Sequence, residues 1–194
     1  MEIGATKAVQ DRLKTTKIEE SKGASLVFCW DTHLTKIKGR NVLFIVNASN
    51  RYTIAMTDIE PRNWNYYAMY IIRVIHGMMQ EMGYSEEQIE QYFKMSGDTT
   101  ITKTHGRKSV GGINRMVMDA QYFGKKLEKE AKYQWELSEY LNRDICQPEG
   151  FDAYGYPSEL FKLDMERLGI ATKRKPAKVI DFAQYIENNR GTNH

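Results

Sequence analysis

Residues 98–123 read DTTITKTHGRKSVGGINRMVMDAQYF, and the rest of the chain can be arranged around this stretch. Its pattern predicts a short strand, a glycine-punctuated turn and a helix that begins after Gly112. No acidic residue occurs between Asp98 and Asp119, whereas five basic side chains do: Lys103, His105, Arg107, Lys108 and Arg115. A turn that opens a helix presents free backbone N–H groups and the positive end of the helix dipole. The stretch therefore favours an anion such as phosphate.

Three extended runs precede this stretch: Leu26–Trp30 (LVFCW), Val42–Val46 (VLFIV) and Tyr52–Met56 (YTIAM). Short apolar or alternating runs separated by turn residues predict an antiparallel β-meander. The segment over residues 32–57 contains no acidic residue but four lysines and arginines: Lys36, Lys38, Arg40 and Arg51. We expect one edge of the sheet to be basic, although lysines on edge strands also protect a sheet from aggregation.

The strongest helical pattern runs from Asn63 to Met82, where apolar residues recur on one stripe every three or four positions. Ser85 and Gln88 have the spacing of a capping box, which predicts a second helix from Ser85 to Met95. Residues 1–14 begin with a short alternating segment and then become helical. The second half of the chain predicts helices over residues 125–145 and 158–168, and a last apolar element over residues 179–186.

These elements predict an α+β fold, with an N-terminal antiparallel β-meander packed against a long amphipathic helix and a mainly helical C-terminal half. We expect an α+β core domain over residues 1–122 and a helical C-terminal extension over residues 123–194. A chain of 194 residues that is 41% hydrophobic and 11% aromatic can bury a core, which argues against a largely disordered protein. The formal charge of +3 indicates nucleic-acid binding only if the charges cluster.

The sequence predicts a cytoplasmic protein without a membrane partner, and it leaves the oligomeric state open. No apolar run approaches 18 residues, and the first 14 residues lack the layout of a signal peptide. The two cysteines, Cys29 and Cys146, form no disulfide framework, and Cys29, which lies in an apolar run, is expected to be a buried free thiol.

Metal and cofactor sites are not expected from the residue spacing. The internal histidines, His33, His76 and His105, occur singly, and no CxxC or HxxxH pair is present. Cys29 and His33 would share one face of a strand but lie about 13 Å apart, which is too far for a nucleophile and its base. The glycines over residues 106–112 match neither the phosphate-binding nor the dinucleotide-binding loop pattern.

The basic turn itself is the remaining candidate for chemistry. Its hydroxyl groups and Arg107 can hydrogen-bond phosphate oxygens, and Lys103 and Lys108 add charge. His105 has a side chain that titrates near neutral pH, so it can serve as the acid or base of a metal-independent ribonuclease. A purely structural interpretation stays open, in which Ser109 caps the helix, the glycines serve packing and the charges are solvated.

Several short motifs resemble a bacterial family of domains of unknown function. These motifs are Thr6-Lys7, the segment around Trp30, the strand over residues 42–47 with Arg51-Tyr52 after it, and RKSVGGIN over residues 107–114. The resemblance covers residues 1–122, and Lys108 interrupts the family's R-S-V-x-G-like turn. Members of that family recur on plasmids, phages and other mobile elements. The resemblance implies a small accessory protein acting on host or competitor machinery, including an anti-CRISPR protein that contacts a CRISPR nuclease or its guide RNA.

Three functional hypotheses follow. In the first, the protein binds RNA or a protein–RNA complex through two basic segments, with these contact residues: Lys36, Lys38, Arg40, Arg51, Lys103, Arg107, Lys108, Ser109 and Arg115. In the second, the protein is a ribonuclease with His105 as the catalytic acid or base. In the third, it is a protein-directed inhibitor or antitoxin whose contact surface is an aromatic group of residues: Phe151, Tyr154, Tyr156 and Phe161.

Overall fold

A five-stranded mixed sheet forms the centre of the protein in the computed structural model, which describes residues 1–14 and 18–171. The strand order is β4-β3-β2-β1-β5. The strands are β1 (Glu2–Ala5), β2 (Cys29–Ile37), β3 (Arg40–Asn47), β4 (Thr53–Thr57) and β5 (Thr100–Thr102). Strands β2, β3 and β4 are antiparallel, which confirms the predicted meander, and β1 runs parallel to both β2 and β5.

Seven helices surround the sheet in the described part of the chain, so the predicted α+β class is confirmed. The helices are α1 (Lys7–Leu13), α2 (Pro61–Asn65), α3 (Tyr67–Glu81), α4 (Glu86–Ser96), α5 (Gly106–Gln121), α6 (Trp135–Asn142) and α7 (Pro157–Arg167). Within the part of the chain that the structure describes, none of these helices has both the length and the apolarity to cross a bilayer.

One face of the sheet carries the larger apolar core. Alternate strand residues such as Ile3, Trp30 and Ile45 are fully buried there, because successive side chains of a strand point to opposite faces. The apolar stripe of α3 packs onto them through Ile71 and Ile75, as the spacing predicted. Burying a side chain of this size contributes about 1.5–3 kcal/mol. More buried apolar side chains lie on this face than on the other, so this face supplies most of the apolar stabilisation.

The opposite face is covered by α5 and α6. Phe44 and Ala55 of the sheet pack with Ile113 of α5 and Leu137 of α6 in a second apolar cluster. Asn142 of α6 accepts a hydrogen bond from the backbone N–H of Thr53 and donates one to its C=O, each at 2.8 Å. Helix α6 therefore shields the outer edge of β4 and shares a core with the sheet. The predicted division into a core domain over residues 1–122 and a C-terminal extension over residues 123–194 stays a prediction.

Several predicted boundaries differ from the structure. Leu26–Phe28 form a 3₁₀ turn, so β2 begins only at Cys29. The helix predicted over residues 63–82 is divided at Tyr66 into α2 and α3. Helix α5 begins at Gly106 instead of after Gly112, so the glycine-rich segment lies inside the helix. Residues 179–186 lie outside the described residues.

The helix predicted over residues 125–145 exists only as α6. The preceding segment bonds to the sheet instead, because β4 has a free edge. The N–H of Thr57 donates to the Lys132 carbonyl at 2.7 Å, and the N–H of Gln134 donates to the Ala55 carbonyl at 2.9 Å. These edge hydrogen bonds hold the segment in an extended form that helix propensity does not anticipate.

Candidate functional site

The candidate site lies where α1 and α5 leave the sheet. Strands β1 and β5 are parallel neighbours, with Gly4 paired to Thr102. The segments that follow the two strands therefore leave the sheet side by side, at the carboxyl ends of the strands. Helix α1 then packs on the first face through Val9, and α5 packs on the opposite face through Ile113. In sheets with parallel strands, ligands bind where successive helices diverge in this way beyond the carboxyl ends of the strands. We call this place the exit crevice.

The predicted cations near the exit crevice have different environments. Arg107 is exposed in the first turn of α5, and its side chain has no polar partner among the described residues. Lys103 forms an ion pair with Glu20, and Lys108 donates to the carbonyl of Pro148 at 3.2 Å. Two turns further along the helix, Arg115 pairs with Asp119 at 3.2 Å.

The predicted cations of the sheet lie elsewhere. Lys38 donates to the carbonyls of Phe123 and Lys125, which follow α5. Arg40 donates to the carbonyl of Glu128 at 2.7 Å and pairs with Asp58.

The remaining two sheet cations differ from each other. Arg51 donates to the carbonyl of Gly112 at 2.6 Å, halfway along α5, and Lys36 is exposed without a polar side-chain partner among the described residues. A 16-residue helix is about 24 Å long. Lys38 and Arg40 therefore lie at the far end of α5 from Arg107, and the nine predicted contact residues do not form one patch.

His105 and Ser109 point into the protein. His105 caps the start of α5, and its Nδ1 contacts Oδ1 of Asp31 at 2.7 Å. The backbone N–H of His105 also donates to that carboxylate at 3.2 Å, and the Ser109 hydroxyl donates to its second oxygen. Asp31 is fully buried in β2, so it positions the first turn of α5 against the sheet.

The second ring nitrogen of His105 contacts another carboxylate. Its Nε2 lies 3.0 Å from Oε2 of Glu2, whose side chain is 5% exposed. The Ser21 hydroxyl and the Lys22 backbone N–H donate to Glu2 at 2.6 and 2.8 Å. Gly4, between these groups on β1, leaves the space that the Asp31 carboxylate occupies, because a Cβ atom there would lie 1.8 Å from Asp31 Oδ1.

This environment sets the charge of His105. Burial alone would lower the pKa of His105, but hydrogen bonds with Asp31 and Cys29, together with the electrostatic interactions with both residues, outweigh that effect and raise the pKa to about 10. Burial would raise the pKa of Glu2, but hydrogen bonds from Ser21, Lys22 and His105 lower it overall. An imidazolium therefore lies between two carboxylates at neutral pH. A general base must accept a proton, and His105 already holds one, so only the role of a general acid stays open to it at neutral pH; the ribonuclease hypothesis stays a prediction.

The aromatic surface of the third hypothesis is only partly present. Tyr154 and Tyr156 are exposed, whereas Phe151 and Phe161 are buried. Phe161 packs in the larger core, and the Arg167 guanidinium stacks over the Phe151 ring at 3.9 Å. Two of the four predicted contact residues are thus available to a partner.

Comparison with protein-family models identifies the chain. The model described as Domain of unknown function (DUF6933) matches residues 2–160. The chain belongs to the DUF6933 family. No curated protein and no solved structure matched it. The DUF6933 match extends past the 1–122 region that the resemblance covered, and it includes α6 and the first residues of α7.

Sequence reasoning missed two buried acids of this DUF6933 protein. Glu2 lies in a short alternating strand, and Asp31 interrupts the apolar run CWDTH. An isolated carboxylate within a strand that is otherwise apolar is a signal for a buried charge, because such a group requires a partner in the fold. The partner, His105, comes from a distant part of the chain, and spacing alone did not connect the three residues.

The same place holds a group of possible metal ligands. One carboxylate oxygen of Glu2, the Sγ atom of Cys29 and one ring nitrogen of His105 all lie within 4.8 Å of one another. Each of these residues is buried, and each comes from a separate segment of the chain. Sequence spacing therefore gave no indication of this cluster.

Proposed function

We propose that this DUF6933 protein binds RNA, free or within a protein–RNA complex, at the exit crevice. The observation that carries the proposal is the position of Arg107. Its guanidinium is exposed and unpaired within the described residues, at the point where α5 leaves the carboxyl end of β5. The first backbone N–H groups of α5 and the positive end of its dipole lie beside it, which favours a phosphate group.

The other charges of the exit crevice support an anionic ligand. Lys7 at the start of α1 pairs with Asp11 of its own helix, and Lys103 pairs with Glu20. These ion pairs are mostly solvent-exposed, and such pairs contribute only about 0–1 kcal/mol. A phosphate group can therefore recruit both lysines at little cost, and Arg107 offers it a bidentate contact.

A second basic surface favours a polymeric ligand over a single phosphate. An open groove at the turn between β2 and β3 is lined by Arg12, Arg40 and Trp64, together with Asp58, which pairs with Arg40. The guanidinium of Arg12 lies 5.4 Å from the centre of the Trp64 ring. Phosphate groups of a single-stranded RNA can pair with such cations. The Trp64 ring also stacks with Tyr67, so it holds the Arg12 guanidinium in place and offers no free face to a base.

Charge reversal at Arg107 tests the proposal. Fluorescence anisotropy with a labelled single-stranded RNA is measured at several salt concentrations for the unmodified chain and for Arg107→Glu. Affinity of the unmodified chain should fall with salt, and Arg107→Glu should weaken binding at least tenfold and reduce the salt slope by about one. Arg143→Glu is the matched control, because Arg143 is an exposed arginine that follows the last residue of α6 and pairs with Glu139.

The control separates a local contact from the loss of net charge. Equal affinities of Arg107→Glu and Arg143→Glu, with unchanged thermal midpoints, would reject the exit crevice as the RNA site. Loss of binding only after nuclease treatment of a partner complex would support a protein–RNA target. Retention of a partner after that treatment would favour the protein-directed hypothesis. Inhibition of a CRISPR nuclease through its guide RNA is the narrower form of the proposal, and a cleavage assay with added protein tests it.

A further inference from the structure

We propose that Glu2, Cys29 and His105 bind one Zn²⁺ ion beneath the first turn of α5, with a water molecule as its fourth ligand. Their ligand atoms lie within 4.8 Å of one another, and Nε2 of His105 is already 3.0 Å from Oε2 of Glu2. Ligands placed 2.0–2.3 Å from a tetrahedral zinc ion lie about 3.5 Å apart. The cluster therefore needs a contraction of only about 1 Å to close around an ion.

The set of donor atoms selects the metal. A thiolate, an imidazole and a carboxylate are three of the ligand types that Zn²⁺ accepts in proteins, while Ca²⁺ and Mg²⁺ require oxygen donors throughout. When the ion binds, Cys29 loses its thiol proton and His105 loses the proton on Nε2, and both protons go to solvent. In the structure, the Cys29 thiol makes long contacts with the carbonyls of Ala24 and Ser25, at 3.7 and 3.5 Å, and it also interacts with the His105 ring.

The groups around the ligands are arranged as metal sites require. Nδ1 of His105 contacts Asp31 at 2.7 Å, which orients the ring and leaves Nε2 as the ligand atom. A histidine that binds a metal almost always donates its other N–H to such a partner. The Lys22 N–H donates to Oε1 of Glu2, and Oε2 faces His105 while it accepts a hydrogen bond from the Ser21 hydroxyl at 2.6 Å. Two residues on neighbouring strands and one at the start of α5 would thus share one ion.

Burial argues for a structural ion. Cys29 is fully buried, Glu2 is 4% exposed and His105 is 9% exposed, so the site offers a substrate no direct access. The ion would fasten β1, β2 and the first turn of α5 to one another. This role is separate from RNA binding, because the proposed RNA contacts lie on the exposed side of that turn.

Cobalt substitution tests the site directly. The protein is purified with a removable C-terminal tag that contains no histidine, because Met1 is buried. After treatment with a chelator, Co²⁺ is titrated and absorbance is recorded. We expect one Co²⁺ per chain, ligand-field bands of a tetrahedral ion and a thiolate-to-cobalt charge-transfer band. Zn²⁺ should displace the cobalt and raise the thermal midpoint.

Two variants and one control assign the ligands. Cys29→Ser should remove the charge-transfer band, and Glu2→Gln should weaken Co²⁺ binding at least tenfold, while its carbonyl oxygen can still accept the Lys22 N–H and its amide group can donate to the Ser21 hydroxyl. Cys146→Ser is the control, because Cys146 is also a buried free cysteine and should leave the spectrum unchanged.

The unmodified chain supplies a test that does not depend on the variants folding. Zn²⁺ should slow alkylation of Cys29 and leave that of Cys146 unaffected, as measured by peptide mass spectrometry. A titration without a charge-transfer band, equal protection of both cysteines, or a folded Cys29→Ser variant with unchanged affinity would overturn the proposal.

Discussion

Replacement of His105 by glutamine should destabilise the protein strongly. His105 lies between Asp31 and Glu2, with its side chain only 3% exposed and its two nitrogens 2.7 and 3.0 Å from their carboxylates. His105→Gln removes the cation and leaves both carboxylates buried. Removing one partner of a buried ion pair typically costs about 3–5 kcal/mol. We therefore expect a loss of this size in the free energy of unfolding at pH 6–7, measured in the presence of a chelator.

The loss should depend on pH in a defined direction. The folded state raises the pKa of His105 from 6.5 to about 10, so the folded protein binds the imidazolium proton more tightly than the unfolded chain does. The resulting stability is fully present below pH 6.5 and is lost as pH rises through about 10. The difference between the unmodified protein and His105→Gln should therefore shrink across this interval.

Urea unfolding followed by circular dichroism between pH 6 and pH 10 measures this difference. His76→Gln is the matched control, because the His76 side chain is 33% exposed and contacts a single carboxylate, that of Glu86. The control should change the free energy of unfolding by less than about 1 kcal/mol. A cost below 1 kcal/mol for His105→Gln at pH 7, or a cost that stays constant up to pH 10, would refute this account of the buried charges.

Three further substitutions test other parts of the structure by urea unfolding. Gly4→Ala places a Cβ atom 1.8 Å from Asp31 Oδ1 and displaces the carboxylate from its partners. It should therefore lower the free energy of unfolding by roughly 3–5 kcal/mol. A loss below about 1 kcal/mol would show that the strands separate easily. Ser85→Ala removes the capping box of α4 and should cost about 1 kcal/mol, and an unchanged midpoint would contradict the cap's role. Burial raises the pKa of Asp164 despite hydrogen bonds from Asn50 and Ser49, so the stability that its protonated form contributes is lost as pH rises above 3.8. The free energy of unfolding of Asp164→Asn should therefore increase relative to that of the unmodified protein over this rise in pH. A difference that stays constant with pH would contradict the raised pKa.

Local patterns predicted the parts of the fold that depend on near neighbours. The stripe over residues 63–82 indicated the core helix α3, and the spacing of Ser85 and Gln88 indicated the cap of α4, whose two reciprocal hydrogen bonds the structure contains. The apolar run over residues 42–46 indicated β3, which is buried on both faces. Each of these features is determined by residues within one or two turns of each other.

Long-range contacts explain what sequence reasoning missed. Strand β1 pairs in parallel with both β2 and β5, and no turn signal links these segments. The sequence predicted that the side chains of residues 103–109 bind an anion, but His105 and Ser109 point inward, because they contact the buried carboxylates of Glu2 and Asp31. Buried carboxylates on distant strands determine these orientations. A count of charges along the sequence does not predict contacts between distant segments of the chain.

The most direct test of the central claim follows amide signals during RNA binding. A ¹H–¹⁵N correlation spectrum of the labelled protein is recorded while single-stranded RNA is added. The account predicts shifts that concentrate on the amides of residues 104–109 and on Lys7, together with a shift of the Arg107 side-chain Nε–H signal. Signals near Arg143 should remain in place. Shifts confined to other surfaces, or a spectrum that RNA leaves unchanged at low salt, would contradict the claim that RNA binds where α1 and α5 diverge.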